Sequence, residues 1–229
     1  MDTKHDAIVH HDMKKTILFI RHGQSEANKS DTNDASVLDA VLTDVGRLQA
    51  GHWSDDLCAQ LRSVEICYCS PLRRAMETAA LVFQNNPGVP IVITRYAREK
   101  WWNLWQCRGV DHDELMTYSQ SLTREIFDVE KLAVVDKYWN PTLETSIMVE
   151  GKRGLTICSD DCYAKLVECL QAQSATTIAV ACHWGVINHL LDVEPMNCEI
   201  ITAELDVATG VFTVTERRNV PESLSSKGY

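Results

Sequence analysis

Two histidines in this sequence stand at the ends of apolar runs. Thr16-Ile17-Leu18-Phe19-Ile20 leads into Arg21-His22-Gly23, and Thr176 to Cys182 leads into His183-Trp184-Gly185. A neutral imidazole is a competent nucleophile near neutral pH. A guanidinium beside it can fork onto two oxygens of an anion. A single histidine at a strand end is more often a hydrogen-bonded packing residue. Two in matching positions, one of them beside Arg21, point instead to an anion site that holds a nucleophile. Cys69 to Ala79, CSPLRRAMETA, adds a third piece. Ser70 and Pro71 suit the N-cap and first position of a helix, and helix N-termini attract anions through free amides and the dipole. Arg73 and Arg74 fall in its first turn.

These residues need elements to hold them. Lys15–Ile20, Val64–Cys69, Ile91–Thr94 and Thr176–Cys182 read as strands. Thr43 can cap a helix running to about Arg62, with Trp53, Leu57 and Leu61 at helical spacing. A second helix carries Leu72, Ala75, Met76, Ala79 and Phe83 on one face. A third, from about Asp160 to Gln173, aligns Tyr163, Leu166, Val167 and Leu170, and a fourth opens at Val186. Ile200–Leu205 and Val211–Thr215 make a hairpin with Ala208-Thr209-Gly210 at its turn. Strands alternating with helices imply a three-layer α/β/α sandwich around a mostly parallel sheet, and sites in such sheets form beyond the carboxyl ends of the strands.

Residues 1–14 read as a flexible lead-in, and 15–229 as one catalytic domain. Residues 98–160 have no clean period and hold four of the six tryptophans, Trp101, Trp102, Trp105 and Trp139. Their length predicts an irregular, cap-like insertion over one end of the sheet.

At 229 residues and 45% apolar the chain can bury a sizeable core, and a net charge of −10 argues against a general nucleic-acid surface. The anion site must therefore be a local positive pocket in a negative molecule. The nine cysteines are scattered, which fits reduced thiols rather than a disulfide framework or a zinc site. With no apolar leader and no apolar run of ~18 residues, a cytoplasmic protein is expected.

RHGQSEAN, LTDVGRLQA, SPLRRAMETA and VACHWG, in that order between about residues 16 and 192, resemble the signatures of the histidine phosphatase superfamily, the phosphoglycerate mutase-like proteins. The resemblance implies that His22 is the nucleophile and carries a phosphohistidine, and that Arg21, Arg74 and His183 bind the phosphoryl oxygens. Asn28 and Ser25 would line the phosphate pocket, and Gly23 would let the backbone pass close to the ligand. A proton donor is expected on the loop after the third strand. Glu99 fits best, with Asp111 and Glu150 as alternatives. Trp184 stands where the family commonly has glycine, so an indole would narrow or wall the pocket.

The implied activity is that of a phosphomonoesterase of the histidine acid phosphatase type. It would act on a small phosphorylated metabolite or a phosphopeptide, with no metal and no cofactor, since phosphoryl transfer asks mainly for positioning and positive charge. The long basic, proline-rich insertion of cofactor-dependent mutases is not evident, which favours hydrolysis over a mutase. A catalytically quiet binding module is the remaining alternative.

Overall fold

The computed structural model describes residues 13–29, 38–55, 59–99, 107, 109–110, 112–122, 127–128, 147–149, 152–154 and 160–225. Its centre is β1 (Lys14–Arg21), whose Ile17, Leu18, Phe19 and Ile20 are all buried. A strand covered on both faces reads as a continuous apolar run, and this one does. Leu18 and Ile20 face one core, with Trp53, Met76 and Leu115. Ile17 and Phe19 face the other, with Tyr163, Leu166, Val186 and Ile187. The first core lies under α2 (Asp44–Asp55), α4 (Arg73–Val82) and α5 (His112–Ser121). The second lies under α6 (Asp160–Ala172) and α7 (Trp184–Leu191). Each large side chain so buried contributes roughly 1.5–3 kcal/mol. Two short helices, α1 (Glu26–Lys29) and α3 (Ala59–Arg62), are the other α-helices among the described residues.

The sheet has seven strands in the order β4-β3-β2-β7-β1-β8-β9. These are β2 (Ile66–Cys69), β3 (Ile91–Ile93), β4 (Phe127–Asp128), β7 (Thr177–Cys182), β8 (Ile200–Asp206) and β9 (Phe212–Arg218) around β1. β4, β3, β2, β7 and β1 are parallel neighbours, and β8 alone runs against them. The expected mostly parallel α/β/α sandwich is what forms. β8 and β9 make the expected hairpin, and Gly210 takes a φ of 73° at its turn.

Lys15 shows how an apolar strand can carry a cation inward. Its Nζ donates to the carbonyls of Leu170 and Gln171, both at 2.9 Å, and to that of Gln173. It thereby satisfies the open C-terminal carbonyls of α6.

The local expectations hold with two adjustments. Thr43 does cap α2, its Oγ1 accepting from the Gly46 amide at 3.0 Å. Ser70 and Pro71, however, do not start the next helix. The N-cap is Leu72, without a side-chain cap bond, and α4 begins at Arg73. The cap comes instead from across the chain. Asp39 Oδ1 accepts from the Arg73 amide at 3.0 Å.

Within 98–160 the described residues include regular elements. α5 puts Leu115 into the core beside α4, β4 extends the sheet, and β5 (Ile147–Val149) pairs antiparallel with β6 (Lys152–Gly154). Trp101, Trp102, Trp105 and Trp139 lie outside the described residues.

Candidate active site

β1 and β7 are parallel neighbours with Arg21 opposite Cys182. The next residue of each strand is therefore level with the other, and those residues are His22 and His183. Their ring centroids are 5.1 Å apart. β2, on the far side of β7, pairs Cys69 with Ala181, so Ser70 arrives beside His183. Beyond β3, Thr94 caps a 3₁₀ turn over Arg95–Ala97, and the chain emerges at Arg98 and Glu99. Four neighbouring strand ends thus supply a site from residues up to about 160 positions apart in sequence.

The hydrogen bonds fix the tautomer of His22. Its Nδ1 lies 2.7 Å from the carbonyl oxygen of Gly23, which can only accept. Its Nε2 lies 3.2 Å from Nε of Arg74, which can only donate. Nδ1 therefore carries the proton and Nε2 the lone pair. Burial first, then the charges of Arg74 and Arg21, hold the His22 pKa well below the ordinary histidine value. The ring stays neutral and its free nitrogen points among cations.

His183 is fully buried, with Nε2 2.7 Å from Ser70 Oγ and no hydrogen-bond partner for Nδ1. Burial and then the charge of Arg74 keep it, too, well below the ordinary value. Arg21 donates from Nη1 to the Pro195 carbonyl at 2.7 Å, while its buried Nε has no partner. Burial pushes this guanidinium down to about 10, against the attraction of Glu99. A buried donor without a partner costs free energy. The buried Arg21 Nε is such a donor, and beside a nucleophilic nitrogen it makes a place where an oxyanion is stabilised on binding.

The other expected residues are placed as follows. Asn28 Oδ1 accepts from the amide of Ser25 at 3.0 Å and from its hydroxyl at 2.9 Å. Asn28 is thus locked by Ser25 at the mouth of β1. Glu99 accepts from the Gly185 amide, at 3.1 Å to Oε1 and 3.3 Å to Oε2. It is therefore held over the start of α7, beside His183. The Trp184 indole is half-buried, and Nε1 donates to Glu194 at 2.8 Å. Asp111 and Glu150 lie outside the described residues. At Gly23 the crowding comes from protein: an added Cβ would stand 2.6 Å from the carbonyl oxygen of Gly46. Close packing of the loop on α2 is what requires glycine there.

Sequence reasoning missed three contributors. Ser70, read as a helix cap, accepts from the Leu72 amide at 3.2 Å and also bonds His183. Arg98 is buried, donates to the Cys107 carbonyl at 2.6 Å, and adds its charge to the field at His183. The third is the loop 192–199. Pro195 holds Arg21, and the Cys198 amide and Asn197 Nδ2 hold the His22 carbonyl at 3.1 and 3.3 Å. Among the described residues no group of three or more His, Cys, Asp or Glu side chains could hold a metal ion.

The family profile described as histidine phosphatase superfamily (branch 1) matches residues 17–137. A Schizosaccharomyces pombe protein named as a probable phosphatase is 39% identical over 71 residues, 31% of this chain, and a second is 37% identical over 84 residues, 37% of this chain. These matches span only 33% and 39% of the relatives' own lengths. A 2,3-bisphosphoglycerate-dependent phosphoglycerate mutase of Corynebacterium diphtheriae is 26% identical, covering 87% of this chain and 85% of its own. Among solved structures, a mycobacterial glucosyl-3-phosphoglycerate phosphatase shares the fold, with a TM-score of 0.55, 19% identity, and coverage of 88% and 97%.

Proposed function

The chain belongs to the histidine phosphatase superfamily, and on that premise we propose that it is a phosphatase that hydrolyses phosphomonoesters through a phosphohistidine on His22. The observation that carries this reading is the lone pair of His22 Nε2, held 3.2 Å from Arg74 Nε and flanked by the partnerless Nε of Arg21 and by the ring of His183. Attack by Nε2 on phosphorus forms the N–P bond and breaks the bond to the leaving oxygen. Arg21, Arg74 and His183 meet the charge spread over the equatorial oxygens. Glu99 gives its proton to the departing alkoxide and later takes one from the water that cleaves the phosphohistidine. Ser25 and Asn28 hold the loop that lines the phosphate.

No step in this cycle asks for a metal or a cofactor. No helix of the described residues is long and apolar enough to cross a membrane, and a cytoplasmic location is part of the proposal. The experiment is phosphate release from p-nitrophenyl phosphate and a panel of phosphorylated metabolites and phosphopeptides, with and without EDTA. Release unaffected by the chelator supports the reading. Loss in EDTA, restored by a divalent ion, rejects it. The similarity to a phosphoglycerate mutase over most of the chain favours one second reading, transfer of the phosphoryl group to another hydroxyl. Product that keeps its phosphate on a new oxygen would identify it.

A further inference from the structure

Phosphate binding leaves one fixed carboxylate at the site unused. Glu194 is exposed, yet both of its oxygens are held: Oε2 accepts from Trp184 Nε1 at 2.8 Å and Oε1 from Asn188 Nδ2 at 3.3 Å. Trp184 and Asn188 lie one turn apart on α7, so the carboxylate is fixed against the helix that starts at His183. Its backbone is fixed as well. The Glu194 carbonyl accepts from Arg217 Nη2 at 2.7 Å, and the carbonyl of the next residue, Pro195, holds Arg21 at 2.7 Å.

Arg217 does not neutralise Glu194, because it forks onto the buried carboxylate of Glu199 at 2.6 and 3.1 Å. Glu194 directly precedes Pro195, whose carbonyl holds Arg21, and Trp184 stands between His183 and the Gly185 amide that holds Glu99, so both side chains branch from backbone that carries the site. An isolated surface carboxylate is mobile and screened. One clamped at both oxygens beside an indole is a feature that a bound substrate must meet.

Resting on the phosphatase reading, we infer that Trp184 and Glu194 select the alcohol half of the substrate, favouring a phosphomonoester whose leaving alcohol carries an ammonium group and no second anion. The site is positive where the phosphate sits and negative where the alcohol emerges. An ammonium group finds the Glu194 carboxylate and the indole face together, the two partners such a cation prefers. A second carboxylate or phosphate would meet Glu194 and be repelled.

The test uses a pair matched in size and opposite in charge, O-phosphoethanolamine and phosphoglycolate. Each is measured as a competitor of p-nitrophenyl phosphate hydrolysis, so that a slowly turned-over compound still gives an inhibition constant. In the wild-type chain phosphoethanolamine should bind about tenfold or more tightly than phosphoglycolate. Glu194→Gln should shrink that ratio roughly three- to fivefold, the size of one partly screened charge contact. Trp184→Phe, which keeps an aromatic face and frees the carboxylate, should fall between the two. Working with ratios cancels any general loss of activity. Equal constants, tighter phosphoglycolate, no competition by either compound, or a ratio unchanged in Glu194→Gln would overturn the inference. Absence of any p-nitrophenyl phosphate hydrolysis is a distinct result, because it refutes the phosphatase reading itself and the inference falls with it.

Discussion

The backbone amide of Gly185 donates to both carboxylate oxygens of Glu99, at 3.1 and 3.3 Å. This amide holds the carboxyl at the strand ends. Glu99→Gln keeps the shape and an acceptor for that amide while removing the transferable proton. It should slow phosphoryl transfer from alkyl phosphates by roughly 10²–10⁴-fold. Transfer from p-nitrophenyl phosphate should change little, because nitrophenolate leaves without a proton. Single-turnover rates on both substrates decide the matter, and equal slowing would assign Glu99 to shaping the pocket.

The buried histidines set a pH dependence of stability. The folded-state pKa values of His22 and His183 are both depressed, chiefly by burial. Below the ordinary value of 6.5 the unfolded chain therefore binds protons that the folded chain refuses. Their contribution is fully present above pH 6.5 and is lost as pH falls toward the folded values, at up to about 1.4 kcal/mol per pH unit for each ring. Asp39 acts the other way. Burial raises it from 3.8 to about 6, so below pH 6 its protonation in the folded state offsets part of that loss. Two rings against one carboxyl leave a net fall in melting temperature that sets in near pH 6.5 and continues below pH 6. Thermal unfolding across pH 5–8 measures it, and His183→Gln should reduce the slope. A melting temperature flat across this range, or a slope unchanged in the variant, would contradict this account.

Two glycines of the same helix should respond in opposite directions. A Cβ on Gly46 would lie 2.1 Å from the Gln24 carbonyl oxygen, whereas one on Gly51 meets nothing within 4 Å. Gly46→Ala should destabilise by about 3 kcal/mol and displace the loop from Gly23 to Asn28, taking activity with it. Gly51→Ala, inside α2, should stabilise by roughly 0.5–1 kcal/mol and leave activity alone. Denaturant melts of the two variants test the pair. A Gly46→Ala as stable as wild type would mean the loop is not packed on α2 as described.

What could be read from the sequence was what strands and short motifs encode. β1 and β7 announced themselves as apolar runs, so His22, Arg21 and His183 could be placed at strand ends. Arg73 and Arg74 could be placed on the helix after β2, and the family resemblance singled out Arg74. The loop 192–199 could not be read in the same way, because it grips the site through main-chain groups, the Pro195 carbonyl and the Cys198 amide, which leave no trace in residue type. Asp39 was missed because it caps a helix 34 positions away, and no local pattern records that. Ser70 carried a true helix-start signal, and nothing local records that its hydroxyl also meets a histidine 113 positions away. Residues 98–160 lack a period partly because α5 and β4 contribute one short piece each.

The central claim is that His22 Nε2 takes the phosphoryl group. The most direct measurement is rapid quenching of the chain during turnover of a labelled phosphomonoester, followed by mapping of the protein-bound phosphate. The account predicts label on His22, stable in alkali and lost in acid, approaching one equivalent per chain as hydrolysis is slowed. His22→Asn, folded by circular dichroism, should show neither label nor turnover. Turnover by wild type with no trapped phosphohistidine under any quench, or comparable turnover by the folded His22→Asn chain, would contradict it.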